Sequence, residues 1–177
     1  MTVISQANPV GIDNRILMIQ NAIEKGLDWD NIDIYGRLYV NKEADGKVEN
    51  AYIGGGDYNQ DGIFLNDKKN AIFGFFVDPI RSRSSTIKAT VTLVCSCNLT
   101  ELFGNDSRRD EKALLKVLSI VDRYSSKPNN GAIITDDLDK IYSLISTTGQ
   151  RFTNKQPWFS FAIGFNILYK NTVCANN

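Results

Sequence analysis

The stretch Thr86–Leu99, TIKATVTLVCSCNL, constrains this chain more than any other. Ile87, Ala89, Val91, Leu93, Cys95, Cys97 and Leu99 alternate with Lys88, Thr90, Thr92, Ser96 and Asn98, and Val94 is the strong exception on the polar row. Successive side chains on a strand point to opposite faces, so a period of two sets one apolar row against a core. At about 3.3 Å per residue such a strand runs roughly 45 Å, long for a single domain. Part of it is therefore expected to bulge or project. The end near Arg81 to Thr90 is expected to reach past the core toward a neighbouring subunit.

Other periodicities surround this strand. Ile12, Ile16, Ile19, Ile23 and Leu27 fall on one helical face and predict a helix over Gly11–Lys25, with Asp13 in its first turn and Gly26 as its C′ residue. Trp29 is expected to plug the following corner. Residues Asn31 to Gly54 read as a hairpin turning at Ala44-Asp45-Gly46. Ala71–Val77, AIFGFFV, predicts a short strand buried on both faces, with Gly74 marking a bend or a close backbone approach. Leu99–Phe103 predicts a single turn with Thr100 as N-cap. Asp110–Tyr124 predicts a second helix with a stripe of Leu114, Val117, Leu118 and Val121, widened by Leu115 and Ile120. Thr135 is placed as the cap of a shorter helix over Asp136–Ser146. Trp158–Tyr169 closes the chain as an aromatic strand, its Ser160, Ala162, Gly164 and Asn166 small enough to admit another layer. These elements give an α+β class: one mostly antiparallel sheet with an N-terminal helix and two further helices packed on it. Residues 1–177 form a single domain, with 1–10 a flexible arm and 171–177 a frayed end.

Composition narrows the function classes. Lys plus Arg and Asp plus Glu are 20 each, so bulk electrostatics do not favour nucleic acid or acidic membranes. A neutral protein associates readily, which suits a subunit with large interfaces. Three cysteines, an odd number, do not read as a secreted disulfide framework, and a reducing compartment is expected. The first residues lack the pattern of a signal peptide, and no apolar run is long enough for a membrane span.

Catalytic chemistry is thinly represented. The chain has no His, which removes Ser–His and Cys–His activation and imidazole acid–base work. No P-loop motif occurs, and no helix pattern follows Gly54-Gly55-Gly56. An enzyme is not expected. Asp57, Asn59 and Asp61, followed by Gly62, match the first half of a calcium loop, a candidate Ca2+ or Mg2+ site. The match fails at Lys68, where a bidentate Glu belongs, so the plainer reading is an Asx-rich turn and no cofactor. Cys95 and Cys97 could supply two soft ligands, but a structural zinc takes four and only Cys174 remains, so buried thiols are the better reading. Arg81 and Arg83 lie in a basic loop that could meet phosphate or an acidic partner, or simply be a solvated connector.

Val91–Leu99 followed by Arg108–Leu115 resembles the small head–tail connector, tail-terminator and neck-ring proteins of tailed bacteriophages. Those proteins carry an alternating strand, a polar turn and an amphipathic helix in this order. The resemblance is topological and covers most of the chain, and the aromatic residue common before the turn is replaced here by the Cys95–Cys97 stretch. The Asn-, Lys- and Ile-rich, His-free composition suits a phage of an AT-rich host such as the crAss-like phages of Bacteroides. The resemblance implies a tail-terminator-like fold and a virion structural subunit, assembled in the bacterial cytoplasm. Its partners would be its own copies in a ring, the portal and other connector or tail proteins. DNA would only pass through the ring, and no membrane is involved. Interface candidates are Asn41, Asp45 and Lys47 at the hairpin tip, Arg81 and Arg83, the loop Asp57–Lys68 and both termini. The alternatives are a cytosolic ligand- or partner-binding module, or a metal-dependent enzyme built on Asp57 and Asp61.

Overall fold

A computed structural model describes residues 1–6, 8–42, 48–52, 68–78, 85–126, 132–135, 137–141 and 157–170. In chain order the elements are β1 (Thr2–Ile4), α1 (Ile12–Gly26), β2 (Ile32–Lys42), β3 (Val48–Tyr52), β4 (Ala71–Val77) and β5 (Thr86–Asn98). There follow α2 (Leu99–Phe103), α3 (Arg109–Val121), β6 (Ile133–Thr135), α4 (Leu138–Ile141) and β7 (Trp158–Lys170). The class is α+β, as the sequence predicts. The sheet runs β1-β2-β4-β5-β7-β6, and β3 hairpins onto the distal half of β2. The β1–β2 and β2–β4 pairs are parallel and the others antiparallel.

The alternating stretch forms β5 and buries its apolar row from Ile87 to Cys97, while Thr86, Lys88 and Thr90 stay exposed. Its pairing with β7 is unbroken, from Thr86 opposite Lys170 to Asn98 opposite Trp158, so the bulge allowed by the sequence is absent from this ladder. Small residues face large ones across it: Ala89 meets Ile167, Cys95 meets Phe161 and Cys97 meets Phe159. Such cross-strand pairs fill the space under the helices at close-packed density. On its other edge β4 covers only Val91–Cys97, and the Asp78 N–H donates to the Thr90 carbonyl at 3.1 Å. Thr86–Ala89 is therefore held by β7 alone among the described strands.

Helices α1 and α3 cover the face bearing this apolar row. Ile12, Ile16, Ile19 and Ile23 of α1 join Ala113, Val117, Ile120 and Val121 of α3 in one core with β2, β4, β5 and β7. Leu115, expected to widen the α3 stripe, is exposed. Trp29 does plug the corner: it stacks on Phe73 at 6.0 Å and meets Phe103 edge-on at 5.8 Å. The opposite face carries a smaller cluster of Leu38, Phe76, Val94, Ala162 and Ile141, the last from α4. Val94 breaks the alternation of β5 because its row meets this second layer. Ser96 and Ser160 share that face, and their hydroxyls hydrogen bond at 2.6 Å.

Several local expectations change. The N-terminal stretch read as a loose arm contains β1, whose Thr2–Ile4 pair with Asp33–Tyr35. Gln20, buried in α1, donates from Nε2 to the carbonyls of Ile4 at 3.0 Å and Ile34 at 2.8 Å. The β2–β4 register shifts between Ile34 and Arg37, and Gln20 satisfies a carbonyl at that irregularity while tying β1 down. Gly26 is the last helical residue and Leu27 the C-cap, so Gly26 is not a left-handed cap. It gives space to a neighbour, because a Cβ there would lie 2.8 Å from Ile120 Cδ1 and the Ile120 side chain would have to shift. Asn98, not Thr100, caps α2, its Oδ1 accepting from the N–H groups of Thr100 and Glu101. Thr135 belongs to β6, and Asp137 Oδ1 accepts from the Lys140 N–H at the start of α4. Helix α3 spans Arg109–Val121, shorter than the expected Asp110–Tyr124.

Gly74 marks the close approach of a side chain rather than of backbone, since a Cβ there would run into Leu38 Cδ1. Gly74→Ala is expected to destabilise by about 1–3 kcal/mol through overpacking. In a Leu38→Ala background the same change should cost much less, with a coupling of about 0.5–3 kcal/mol in a urea-denaturation double-mutant cycle. Strict additivity would show that the two side chains do not compete for this space.

Candidate functional site

Of the residues singled out in the sequence, Asp45, Lys47, Asp57, Asn59, Asp61, Arg81 and Arg83 lie outside the described residues, as does the expected frayed end at 171–177. Asn41 is placed in β2, opposite Glu49 of β3. Among the described residues no three of His, Cys, Asp or Glu gather as a metal-ligating group.

Cys95 and Cys97 sit on the inner face of β5, fully buried against the β7 aromatics. Burial and the neighbouring Cys97 push the Cys95 thiol well above its ordinary value. The Cys97 thiol donates weakly to the Phe159 carbonyl at 3.6 Å. Thiolate is the reactive form, and burial holds the Cys95 group as the thiol. These cysteines are packing groups.

A polar corner lies where α1, β2 and the residues after β1 meet. Asp13, Gln20, Gly36 and Arg37 line a cavity of about 10 Å³ there, together with Ser5 and Gln6. That is room for about one water, and too little for a larger ligand. Asp13 Oδ1 is buried without a hydrogen-bond partner among the described residues. Burial raises the Asp13 pKa from 3.8, and the Arg37 charge offsets part of the rise.

The larger cavity is a groove of about 290 Å³ on the outer edge of β7. Helix α1 supplies Arg15, Met18 and Ile19; the segment leaving α3 supplies Arg123, Tyr124 and Ser126; β7 supplies Ile167 and Leu168. Ile19 and Ile167 form a buried floor, and Met18 and Leu168 are 42% and 47% exposed at the rim. Arg15 contacts only the Met18 sulfur, at 3.6 Å, and neither Arg15 nor Arg123 has a carboxylate partner among the described residues.

The edge of β7 changes hands along its length. β6 pairs with Phe161–Ile163, the Gly164 N–H donates to the Ala132 carbonyl, and the Asn166 carbonyl accepts from the Ser126 N–H, the last two at 2.8 Å. In an antiparallel strand alternate residues turn their main-chain groups to the same side, so Leu168 comes next on this edge. Its N–H and carbonyl have no partner among the described residues. The sequence did not reveal this groove, because its parts come from three elements far apart in the chain. The only local trace was an exposed Leu at an outward position of the last strand.

No protein-family model, curated protein or solved structure matches this chain.

Two measurements check these environments. In the folded protein Cys95 and Cys97 should resist iodoacetamide at pH 8, and both should alkylate in urea; peptide mass mapping reads each separately. Rapid native alkylation of either would contradict the burial. For Asp13 the folded pKa lies above 3.8, so the folded state binds more protons between the two values. The resulting penalty is absent below the unfolded pKa and fully present above the folded one. Asp13→Asn should therefore stabilise at neutral pH, and its advantage over the parent in denaturation midpoint should shrink as pH falls toward 3.8.

Proposed function

We propose that this chain is a structural subunit of a phage virion, forming a ring in the head–tail connector or tail that joins the portal to tail components. The observation that carries the reading is the β5–β7 ribbon. It continues past the end of β4, is backed on one face by α1, and exposes Thr86, Lys88, Thr90, Leu168 and Lys170 on the other. A ribbon standing beyond its sheet offers one surface to a neighbour whose own complementary surface is different. Such heterologous contacts close into rings when the rotation permits. The α+β order of elements and the inert cysteines accord with a mechanical rather than a chemical role. In this reading DNA passes through the ring without specific contacts, and no cofactor is required.

A partner-binding module is the second reading, and the edge groove is the observation that favours it. Native mass measurement of the purified protein across a wide concentration range tests the first. A closed ring of roughly six or twelve copies, with central openings by electron microscopy, is expected. A strict monomer that joins no larger assembly overturns it.

A further inference from the structure

We propose that the groove beside Leu168 captures an extended acidic–apolar segment of a partner chain, which adds to β7 as a further strand. The proposal stands whether or not the chain forms rings. Three independent features meet at this spot. The first is main-chain: β6, Ala132 and Ser126 satisfy the outer edge of β7 in turn as far as the Asn166 carbonyl, and the Leu168 N–H and carbonyl then have no partner among the described residues. An extended peptide satisfies such a pair with its own backbone, which gives affinity without regard to sequence.

The second is apolar. Ile19 and Ile167 floor a groove that Tyr124 also lines, rimmed by Met18 and Leu168. Its volume of about 290 Å³ lies at the bottom of the range for small-molecule pockets, about 300–1,000 Å³, and suits one or two side chains of a strand. Methionine at the rim adapts to more than one such side chain.

The third is charge. Arg15 and Arg123 flank the groove without carboxylate partners among the described residues. Lys88, paired across from Leu168, and Lys170, two residues on, are both exposed. Four cations around one stretch of edge in a chain of zero net charge select a segment whose alternate residues are acidic. The same four cations disfavour the pairing of this edge with itself in a second copy. Strand alternation then turns apolar residues of the partner into the groove, whose face Arg15 and Arg123 share with Ile167, and carboxylates to the opposite face, where Lys88 and Lys170 are exposed.

The experiment uses the full chain and an array of short fluorescein-labelled peptides in which Leu or Phe alternates with Glu, covering each register. Fluorescence anisotropy reads binding, and amide exchange by NMR reads Leu168. Saturable binding by members of the array is expected. Replacing Glu by Lys in the peptide, or making the Lys88→Glu/Lys170→Glu double variant, should weaken it at least tenfold. Both lysines are exposed, and an unchanged melting temperature confirms that the double variant folds. Bound peptide should slow exchange of the Leu168 amide, while a peptide N-methylated on its β7-facing edge should not bind. The proposal fails if no member of the array binds, if binding is indifferent to either charge reversal, or if Leu168 exchange is unchanged on saturation. If the double variant alters the mass of the native particle and no peptide binds, the occupant is a second copy and the proposal is overturned.

Discussion

The rest of the structure hangs on the ladder between β5 and β7. It is the longest pairing among the described strands, and it joins strands distant in sequence: the hydrogen-bonded Ser96 and Ser160 are 64 residues apart. Its closure costs loop entropy before any contact compensates, so strong apolar pairing along its whole length is a requirement. The segments α2, α3, β6 and α4 all lie between the two strands in the chain. Each packs back on the ladder that frames it: α3 on its inner face, α4 on the outer, β6 on its edge. The narrow residues of β5 opposite the aromatics of β7 let the helices descend without a void. Deleting that size match would open the core that α1 and α3 share.

How much of this could be read from the chain depended on the range of the cause. Period two in Thr86–Leu99 and Trp158–Tyr169, and the four-three spacing of the α1 isoleucines, are local patterns that directly reflect burial. They located both ladder strands and the first helix. Val94 also carried information, since an apolar residue on the polar row marks where the second face is covered. The three-residue strands β1 and β6 were not legible, because alternation needs more residues than they have. The roles of Gly26 and Gly74 were missed or left open for another reason: each is small because of a distant side chain, Ile120 or Leu38. Caps failed in the same way. Thr100 and Thr135 are good capping residues, but the strand end at Asn98 and the strand β6 decide where each helix can start. The edge groove was least legible, because no single segment of sequence contains two of its three walls.

A buried cost and an exposed opportunity distinguish the two cavities. In the small corner, Asp13 is held by α1 among Gln20, Gly36 and Arg37, and the space admits nothing larger than water. Gln20 satisfies the carbonyls of Ile4 and Ile34 there, while Asp13 Oδ1 is left without a partner among the described residues. In the groove the polar groups at the rim are not consumed by the fold. The Cys95 and Cys97 thiols are buried, while cations and main-chain groups that could bind remain at the surface.

Sheet edges sharpen this contrast. Open edges template unwanted pairing, and short edge strands and lysines are standard ways to suppress it. Both ends of this sheet follow the rule, since β1 and β6 are three residues each. β6 is also shorter than the strand it protects, so among the described residues the last part of β7 is guarded only by Ser126 and by charge. Protection by charge is selective in a way that protection by a strand is not. A row of like cations repels a second copy of itself and every basic or neutral competitor less well paired, yet it attracts a segment of opposite sign. The positive edge beside Leu168 therefore serves two physical ends at once: it keeps the subunit from stacking edge to edge, and it leaves the main-chain groups of Leu168 open to one class of partner.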